Sequence, residues 1–219
     1  GLVLPSRFIP MAEETGLIHA IGSWALKTAC AQSKAWQEQG LTPFDVAVNL
    51  SAKQLKRGNL VKLVDQILQE TGLEGRYLEL ELTETMVMHD PERFIPILEK
   101  LKELGVKLSV DDFGTGYSSL SYLKRLPFDR LKIDQSFVRD IATDTNDAVI
   151  VQTVISLGHT LGLKVIAEGV ETLEQLTFLC RHRCDDMQGY YSSRPLPAEQ
   201  FGRLLRENRR VPLPSIAAA

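Results

Sequence analysis

Carboxylate, amide and lysine side chains recur at the ends of short β-type segments of this sequence. If those segments are parallel strands of one sheet, their carboxyl ends meet at one edge and the side chains converge there. Converging carboxylates repel one another unless cations lie among them, and oxygen ligands without His or Cys suit Mg²⁺ or Mn²⁺. The sequence therefore predicts a metal-binding edge lined by Asn49, Glu81, Asp111, Asp112, Lys132, Asp134, Glu168 and Gln188.

Asp111 and Asp112 are the most informative of these residues, because adjacent side chains on a strand point to opposite faces. A shared cluster requires the chain to turn there, and we expect the glycines of the segment 113–116 to supply the turn. One aspartate could then bridge two metal ions, an arrangement suited to attack of water on a phosphodiester. Lys132 adds a positive charge that could stabilise the transition state or hold that water. Taken alone, the aspartate pair would be more typical of a helix-capping loop.

The elements that must position these residues alternate between strands and helices. This alternation indicates parallel strands with helical crossovers, either as a doubly wound sheet or as a (β/α)8 barrel. No Gly-x-Gly-x-x-Gly follows the first strand, and the polar groups recur at nearly every strand end, so we favour the barrel. Strands are predicted at 45–50, 77–82, 106–111, 128–134, 163–168 and 184–188, and helices near 22–39, 59–71, 91–104, 117–125, 146–161, 172–181 and 197–207, several of them ending at Gly40, Gly72, Gly105 and Gly162.

The composition excludes several classes of protein. The 219 residues include 25 basic and 28 acidic side chains, a net charge of −3, which disfavours a nucleic-acid binder. No apolar run approaches the roughly 20 residues that span a bilayer, so we expect a soluble, cytoplasmic domain without membrane contact. Cys30, Cys180 and Cys184 make no disulfide framework and are expected to be free thiols. The tail 209–219 is expected to be a disordered end or a remnant of cloning.

Six motifs, in this order and spacing, resemble the successive signatures of the EAL domain family, from about residue 2 to residue 207. The resemblance implies an α/β fold, a modified TIM barrel, and metal-dependent hydrolysis of cyclic di-GMP to linear pGpG, which lowers this bacterial second messenger. The motifs are Val-Asn49-Leu-Ser, Glu81-Leu-Thr-Glu-Thr, Asp111-Asp112-Phe-Gly-Thr-Gly-Tyr-Ser-Ser-Leu, Leu-Lys132-Ile-Asp, Ala-Glu168-Gly-Val-Glu171-Thr and Gln188-Gly-Tyr-Tyr-Ser-Ser-Arg-Pro-Leu-Pro.

The resemblance also implies roles for individual residues. Lys132 matches the catalytic lysine, and Gln188 matches a residue that helps to hold the water and the metal shell. Glu171 and Glu84 match supporting positions, Glu84 fixing the loop after Asp112. That loop, 113–119, resembles the segment that joins the metal site to a homodimer interface. The metal ligands, for two Mg²⁺ or Mn²⁺ ions, correspond to Asn49, Glu81, Asp111, Asp112 and Glu168.

The Glu-Ala-Leu tripeptide that names the family is absent from this sequence. The resemblance places it just before residue 1, together with two of eight strands, and a typical barrel needs roughly 250 residues. We therefore expect residues 1–208 to be an N-terminally incomplete domain of a longer protein with sensory or GGDEF-type domains, and we expect this piece alone to lack activity. One alternative stays open, a catalytically inactive EAL domain that serves as a cyclic di-GMP receptor or as a protein-interaction module.

Overall fold

The computed structural model describes residues 3–116, 120–207, 211–212 and 214. The predicted tail at 209–219 and the loop positions 117–119 thus lie largely outside the described residues. Six strands form one sheet in sequence order, and the pairs β1–β2, β3–β4, β4–β5 and β5–β6 are parallel. The strands are β1 (Val46–Asn49), β2 (Leu78–Thr83), β3 (Lys107–Phe113), β4 (Arg130–Ile133), β5 (Lys164–Ala167) and β6 (Asp186–Met187).

Eleven α-helices are found among the described residues, so the predicted α/β alternation is confirmed. The four predicted helix ends at Gly40, Gly72, Gly105 and Gly162 are confirmed as well, since these glycines have φ angles of 80°, 68°, 81° and 75°. The helices are α1 (Pro5–Thr15), α2 (Ile18–Glu38), α3 (Ala52–Lys56), α4 (Leu60–Thr71), α5 (Glu84–Met88), α6 (Pro91–Glu103), α7 (Leu120–Leu123), α8 (Gln135–Arg139), α9 (Thr145–Thr160), α10 (Leu173–Arg181) and α11 (Ala198–Arg206).

The chain divides into two compact units. Unit 1 comprises residues 1–82 and 89–108. Its longest helix, α2, buries Ile18, Leu26 and Cys30 at spacings of four and eight residues, the pattern of one helix face. Ser51 starts α3 through a capping box with Gln54, and Asp45 pairs with Lys107 at 2.7 Å.

Unit 2 comprises residues 83–88 and 109–219. Its strands place apolar side chains on one face, so that Val110, Leu131 and Val165 are fully buried, while Asp111 and Lys132 lie on the other face. Helix α9 packs on β4 and β5. Gly158 permits this close approach, because a Cβ there would lie 2.4 Å from Cγ2 of Val165.

The helices α1, α3, α5 and α8 were not predicted from the sequence. Three of them begin within three residues of the end of a strand and have only five residues, which is too short for a helical period to stand out. Two of these helices nevertheless begin after typical N-cap residues, Ser51 before α3 and Asp134 before α8. Among the described residues, no helix combines the length and the apolar character needed to cross a membrane. Cys30, Cys180 and Cys184 are free thiols, as predicted.

Candidate metal centre and active site

Three carboxylates of unit 2 form the candidate metal centre. Asp111 and Asp112 are neighbours on β3, and Glu168 comes directly after β5. One oxygen atom from each lies within 4.8 Å of the others. Asp111 is 8% exposed, and Asp112 and Glu168 are half-buried, so the negative charge is partly withdrawn from water. A cluster of this kind is unfavourable by itself and becomes favourable when a cation neutralises it.

The backbone at Asp112 brings the two aspartates together. As expected, the turn falls on the glycines of 113–116, since β3 ends at Phe113 and Gly114 follows it in a turn with a φ of 100°. The register shifts between Val110 and Phe113, and Asp112 has a φ of 54°. Such a bulge re-aims a side chain, and aspartate tolerates the left-handed region better than most residues. A bulge at Asp112, inside the strand and before the turn at Gly114, therefore brings the two aspartates together.

Lys132 is the positive charge of the cluster. Its side chain is 3% exposed, and its Nζ atom lies 2.6 Å from Oε1 of Glu168 and 3.2 Å from Oδ1 of Asp111. Strand β4 pairs with both β3 and β5, which explains why a lysine on β4 reaches carboxylates on either side. One ammonium group balances only one of the three carboxylates, so the cluster keeps an excess of negative charge.

The arrangement of charges changes the pKa of Asp112. Burial raises the pKa of its carboxyl to about 6, and the charges of Asp111, Asp134 and Glu168 and a hydrogen bond with Asp134 act in the same direction. Asp134 caps α8 and was recognised from the sequence only as a polar strand end, without a role. Its position two residues after Lys132, directly after the end of β4, was the signal that could have identified it.

Glu84 contacts the loop that follows Asp112. It is the first residue of α5 and is 1% exposed. Its Oε2 atom accepts a hydrogen bond of 2.9 Å from the backbone N–H of Gly114. Gly116 also approaches it, since a Cβ there would lie 3.2 Å from Oε1 of Glu84. A buried carboxylate thus holds the backbone two residues beyond Asp112.

Backbone hydrogen bonds fix the segments of Glu171 and Gln188 beside Glu168. The N–H of Gln188 donates to the carbonyl of Ala167 at 2.8 Å, and its carbonyl accepts from the N–H of Val170 at 3.1 Å. The N–H of Glu171 donates to Oε1 of Gln175 at 2.6 Å, and the Glu171 side chain is exposed. These bonds fix the segment around Glu168, and the side-chain roles of both residues stay predictions.

Asn49 and Glu81 are the two expected ligands in unit 1. They are paired in register on the parallel strands β1 and β2, Asn49 being the last residue of β1, and Leu50 N–H donates to the Glu81 carbonyl at 2.9 Å. Glu81 is 6% exposed, whereas Asn49 is exposed. Their adjacency agrees with a shared role, and ligation by them stays a prediction.

The donor set fits a hard divalent cation. All three clustered groups are carboxylates, and His19, His89, His159 and His182 lie in helices or in the turns after them, as predicted. Oxygen donors of this kind suit Mg²⁺ or Mn²⁺ better than Zn²⁺ or Cu²⁺.

Fold and site together define an α/β protein with an acidic, lysine-containing centre at the strand ends. A family model described as the EAL domain matches residues 1–195, and the chain therefore belongs to the EAL domain family, whose fold is a modified α/β barrel.

Relatives and solved structures agree with this assignment. The chain is 50% identical over 201 residues to the "bifunctional diguanylate cyclase/cyclic di-GMP phosphodiesterase MucR" of Pseudomonas aeruginosa, covering 92% of this chain and 29% of MucR. It is 47% identical over 222 residues to the "cyclic di-GMP phosphodiesterase NbdA" of the same organism, covering 100% of this chain and 28% of NbdA. The chain thus spans less than a third of the length of these curated relatives. The solved PaMucR phosphodiesterase in complex with c-di-GMP has a TM-score of 0.90 at 49% identity, covering 92% of this chain and 81% of that one.

Proposed function

We propose that this chain is the phosphodiesterase domain of a longer signalling protein and that it hydrolyses cyclic di-GMP to linear pGpG. The observation that carries the proposal is the cluster of Asp111, Asp112 and Glu168 around the buried Lys132. The names of two relatives support the proposal, since MucR and NbdA are both called cyclic di-GMP phosphodiesterases. Residues 1–208 form the domain in this proposal, joined to GGDEF-type or sensory domains and acting as a cytoplasmic homodimer.

The chain's own residues perform the following parts of the reaction. Asp111, Asp112 and Glu168 would hold the cations, with Asn49 and Glu81 completing the ligand set. When bound, Mg²⁺ or Mn²⁺ would acidify a water molecule and neutralise charge on the phosphodiester. Lys132 is held by two carboxylates. Its ammonium group stabilises the negative charge that develops on the phosphate, or it orients the attacking water. Gln188 and Glu171 support the shell around Glu168, and Glu84 fixes the backbone at Gly114.

Metal removal tests the proposal directly. The parent polypeptide that carries this domain is incubated with cyclic di-GMP, and pGpG is followed by liquid chromatography and mass spectrometry. We expect turnover with Mg²⁺ or Mn²⁺, no turnover in excess chelator, and inhibition by Ca²⁺, which prefers more ligands at longer distances than these ions.

Two results would contradict the proposal. Full turnover in excess chelator would exclude metal-dependent hydrolysis. Binding of cyclic di-GMP in the presence of Mn²⁺ without any pGpG would instead place the chain among receptors for this nucleotide.

Replacing Glu84 with alanine is expected to lower kcat by about 10 to 100-fold with little change in the affinity for cyclic di-GMP, because the residue acts through the loop after Asp112. Glu84→Gln keeps an oxygen that can accept from Gly114 N–H and is expected to recover most of the rate. Steady-state kinetics and equilibrium nucleotide binding measure the two effects. Glu199→Ala, at an exposed position of α11, is the matched control. Equal rates for Glu84→Ala and the wild type would show that Glu84 does not position the site.

A further inference from the structure

Gln175 is a buried polar residue of unit 2 that the proposed mechanism does not use. It is the third residue of α10 and is 5% exposed. Its Oε1 atom accepts from two backbone N–H groups, that of Glu171 at 2.6 Å and that of Thr172 at 2.9 Å. Its Nε2 atom donates to the carbonyl of Arg139 at 3.0 Å. Both ends of the amide are therefore paired, and the two accepted bonds identify which end is the oxygen.

Only the oxygen of this amide is needed to start α10. Thr172 and Gln175 form a capping box, in which the Thr172 side chain accepts from the N–H of Gln175 and the Gln175 side chain accepts from the N–H of Thr172. A glutamate would serve such a box equally well, because the third residue of the helix contributes only an acceptor. What glutamine adds is the donor Nε2, and this donor reaches a different element of the fold.

That element is α8, which follows the strand of the candidate catalytic lysine. Helix α8 begins three residues after Lys132, and Arg139 is its last residue. The last carbonyl groups of a helix find no partner within the helix, and Gln175 satisfies one of them. The other end of α8 contacts the same region, since a Cβ on Gly169 would lie 2.7 Å from the Cβ of Gln135. Both ends of α8 thus lie against the chain between β5 and α10.

The segment 168–172 between β5 and α10 carries two glutamates of the candidate site. Strand β5 ends one residue before Glu168, so Glu168 and Glu171 lie beyond the regular pairing of the strands. Their positions therefore depend on the contacts of the segment itself. Because the Gln175 amide is buried, water cannot readily replace its hydrogen bonds when they are lost. Loosening this segment would change the distance of 2.6 Å between Glu168 and Lys132.

We propose that Gln175 is a positioning residue of this active site and holds the segment 168–172 against α8 through its amide. Gln175 acts through Glu168 and Glu171 rather than on the substrate itself. The inference rests on the proposed function, because it gives Gln175 a part in the same reaction.

Two variants separate the helix cap from the link to α8. Gln175→Glu keeps an acceptor for the N–H groups of Glu171 and Thr172 but removes the donor to Arg139, whereas Gln175→Met removes both. In the parent polypeptide we expect either change to lower kcat by about 10 to 100-fold with a much smaller change in KM, as for other residues that orient metal ligands. Gln200→Met, at an exposed position of α11, is the matched control and should keep the wild-type kcat. A wild-type kcat in Gln175→Glu would show that Gln175 is only a helix cap and would overturn the proposal.

Amide hydrogen exchange in the metal-free protein tests the same inference without turnover. The N–H groups of Glu168 and Val170 bond to backbone carbonyls and not to Gln175. In Gln175→Glu we expect both to exchange at least about 10-fold faster, because the whole segment opens more often once its link to α8 is lost. The N–H of Gly114, which bonds to a side chain of α5, is the internal reference and should exchange at the wild-type rate.

The two measurements distinguish failure of this inference from failure of the proposed function. A wild-type protein that forms no pGpG would contradict the proposed function, and amide exchange would then decide the role of Gln175 alone. Unchanged exchange at Glu168 and Val170 in Gln175→Glu would overturn that role whatever the activity, since a residue that only caps α10 leaves these two amides as they are.

Discussion

Replacing Lys132 with methionine is expected to lower the turnover of cyclic di-GMP by at least about 10²-fold, because removing one preorganised charge-stabilising group commonly costs 10² to 10³ in kcat. Methionine keeps the length and packing of the buried side chain but not its charge. Lys132 contacts Asp111 and Glu168 rather than forming part of a general binding surface. We therefore expect nucleotide affinity in the presence of metal to change far less than kcat.

The control for this experiment is a lysine at the opposite end of a neighbouring strand. Lys164 begins β5, whereas Glu168 follows the end of that strand, and the Lys164 side chain is exposed. Lys164→Met should retain the wild-type rate. If Lys132→Met also retained it, Lys132 would be a purely structural counter-ion. A parallel loss of affinity and of kcat in Lys132→Met would indicate a collapsed site, which circular dichroism and Tm would reveal.

Replacing Asp112 with asparagine is expected to have opposite effects on stability and on activity. Without metal, the Tm should rise by about 2 °C, because one of three clustered carboxylates is neutralised. Asparagine tolerates a positive φ as well as aspartate does, so the bulge at this position is kept. Turnover should fall by more than about 100-fold, beyond the cost of changing a residue that merely supports a ligand.

Metal titration followed by thermal unfolding separates these effects. Mn²⁺ at 100 times its Kd adds about 2.7 kcal/mol, which is about 5 to 10 °C in Tm for a chain of this size, and Asp112→Asn should lose most of this gain. Asp186→Asn, at an exposed position of β6, should keep it. An Asp112→Asn variant that Mn²⁺ stabilises as strongly as the wild type would show that Asp112 is not a ligand.

Burial and charge in the cluster explain why these two residues should have the largest effects. Lys132 is withdrawn from water and contacts Asp111 and Glu168, and charges interact more strongly there than they do in water. Asp112 is half-buried beside the same two carboxylates. Glu171 and Gln188 are exposed, so water can replace part of what their side chains contribute. Changes at the latter two residues should therefore be milder.

The sequence by itself determined the order of the six strands and of seven of the eleven helices among the described residues. A strand such as β2 is encoded locally, because Leu78, Leu80 and Leu82 alternate with polar residues and the two-residue period needs no distant partner. Helix ends at glycines are local in the same way. The polar strand ends also followed from sequence, because parallel strands align their carboxyl ends at one edge.

Only the tertiary structure decided how the cluster is assembled. The left-handed conformation of Asp112 depends on the register of β3 against β4, which no local pattern encodes. The same holds for Lys132, whose two carboxylate partners are 21 and 36 residues away in sequence. The contact of Asp134 with Asp112 likewise arises from packing between distant segments. Sequence patterns report what each segment prefers, whereas distances between charges are set by how the segments pack.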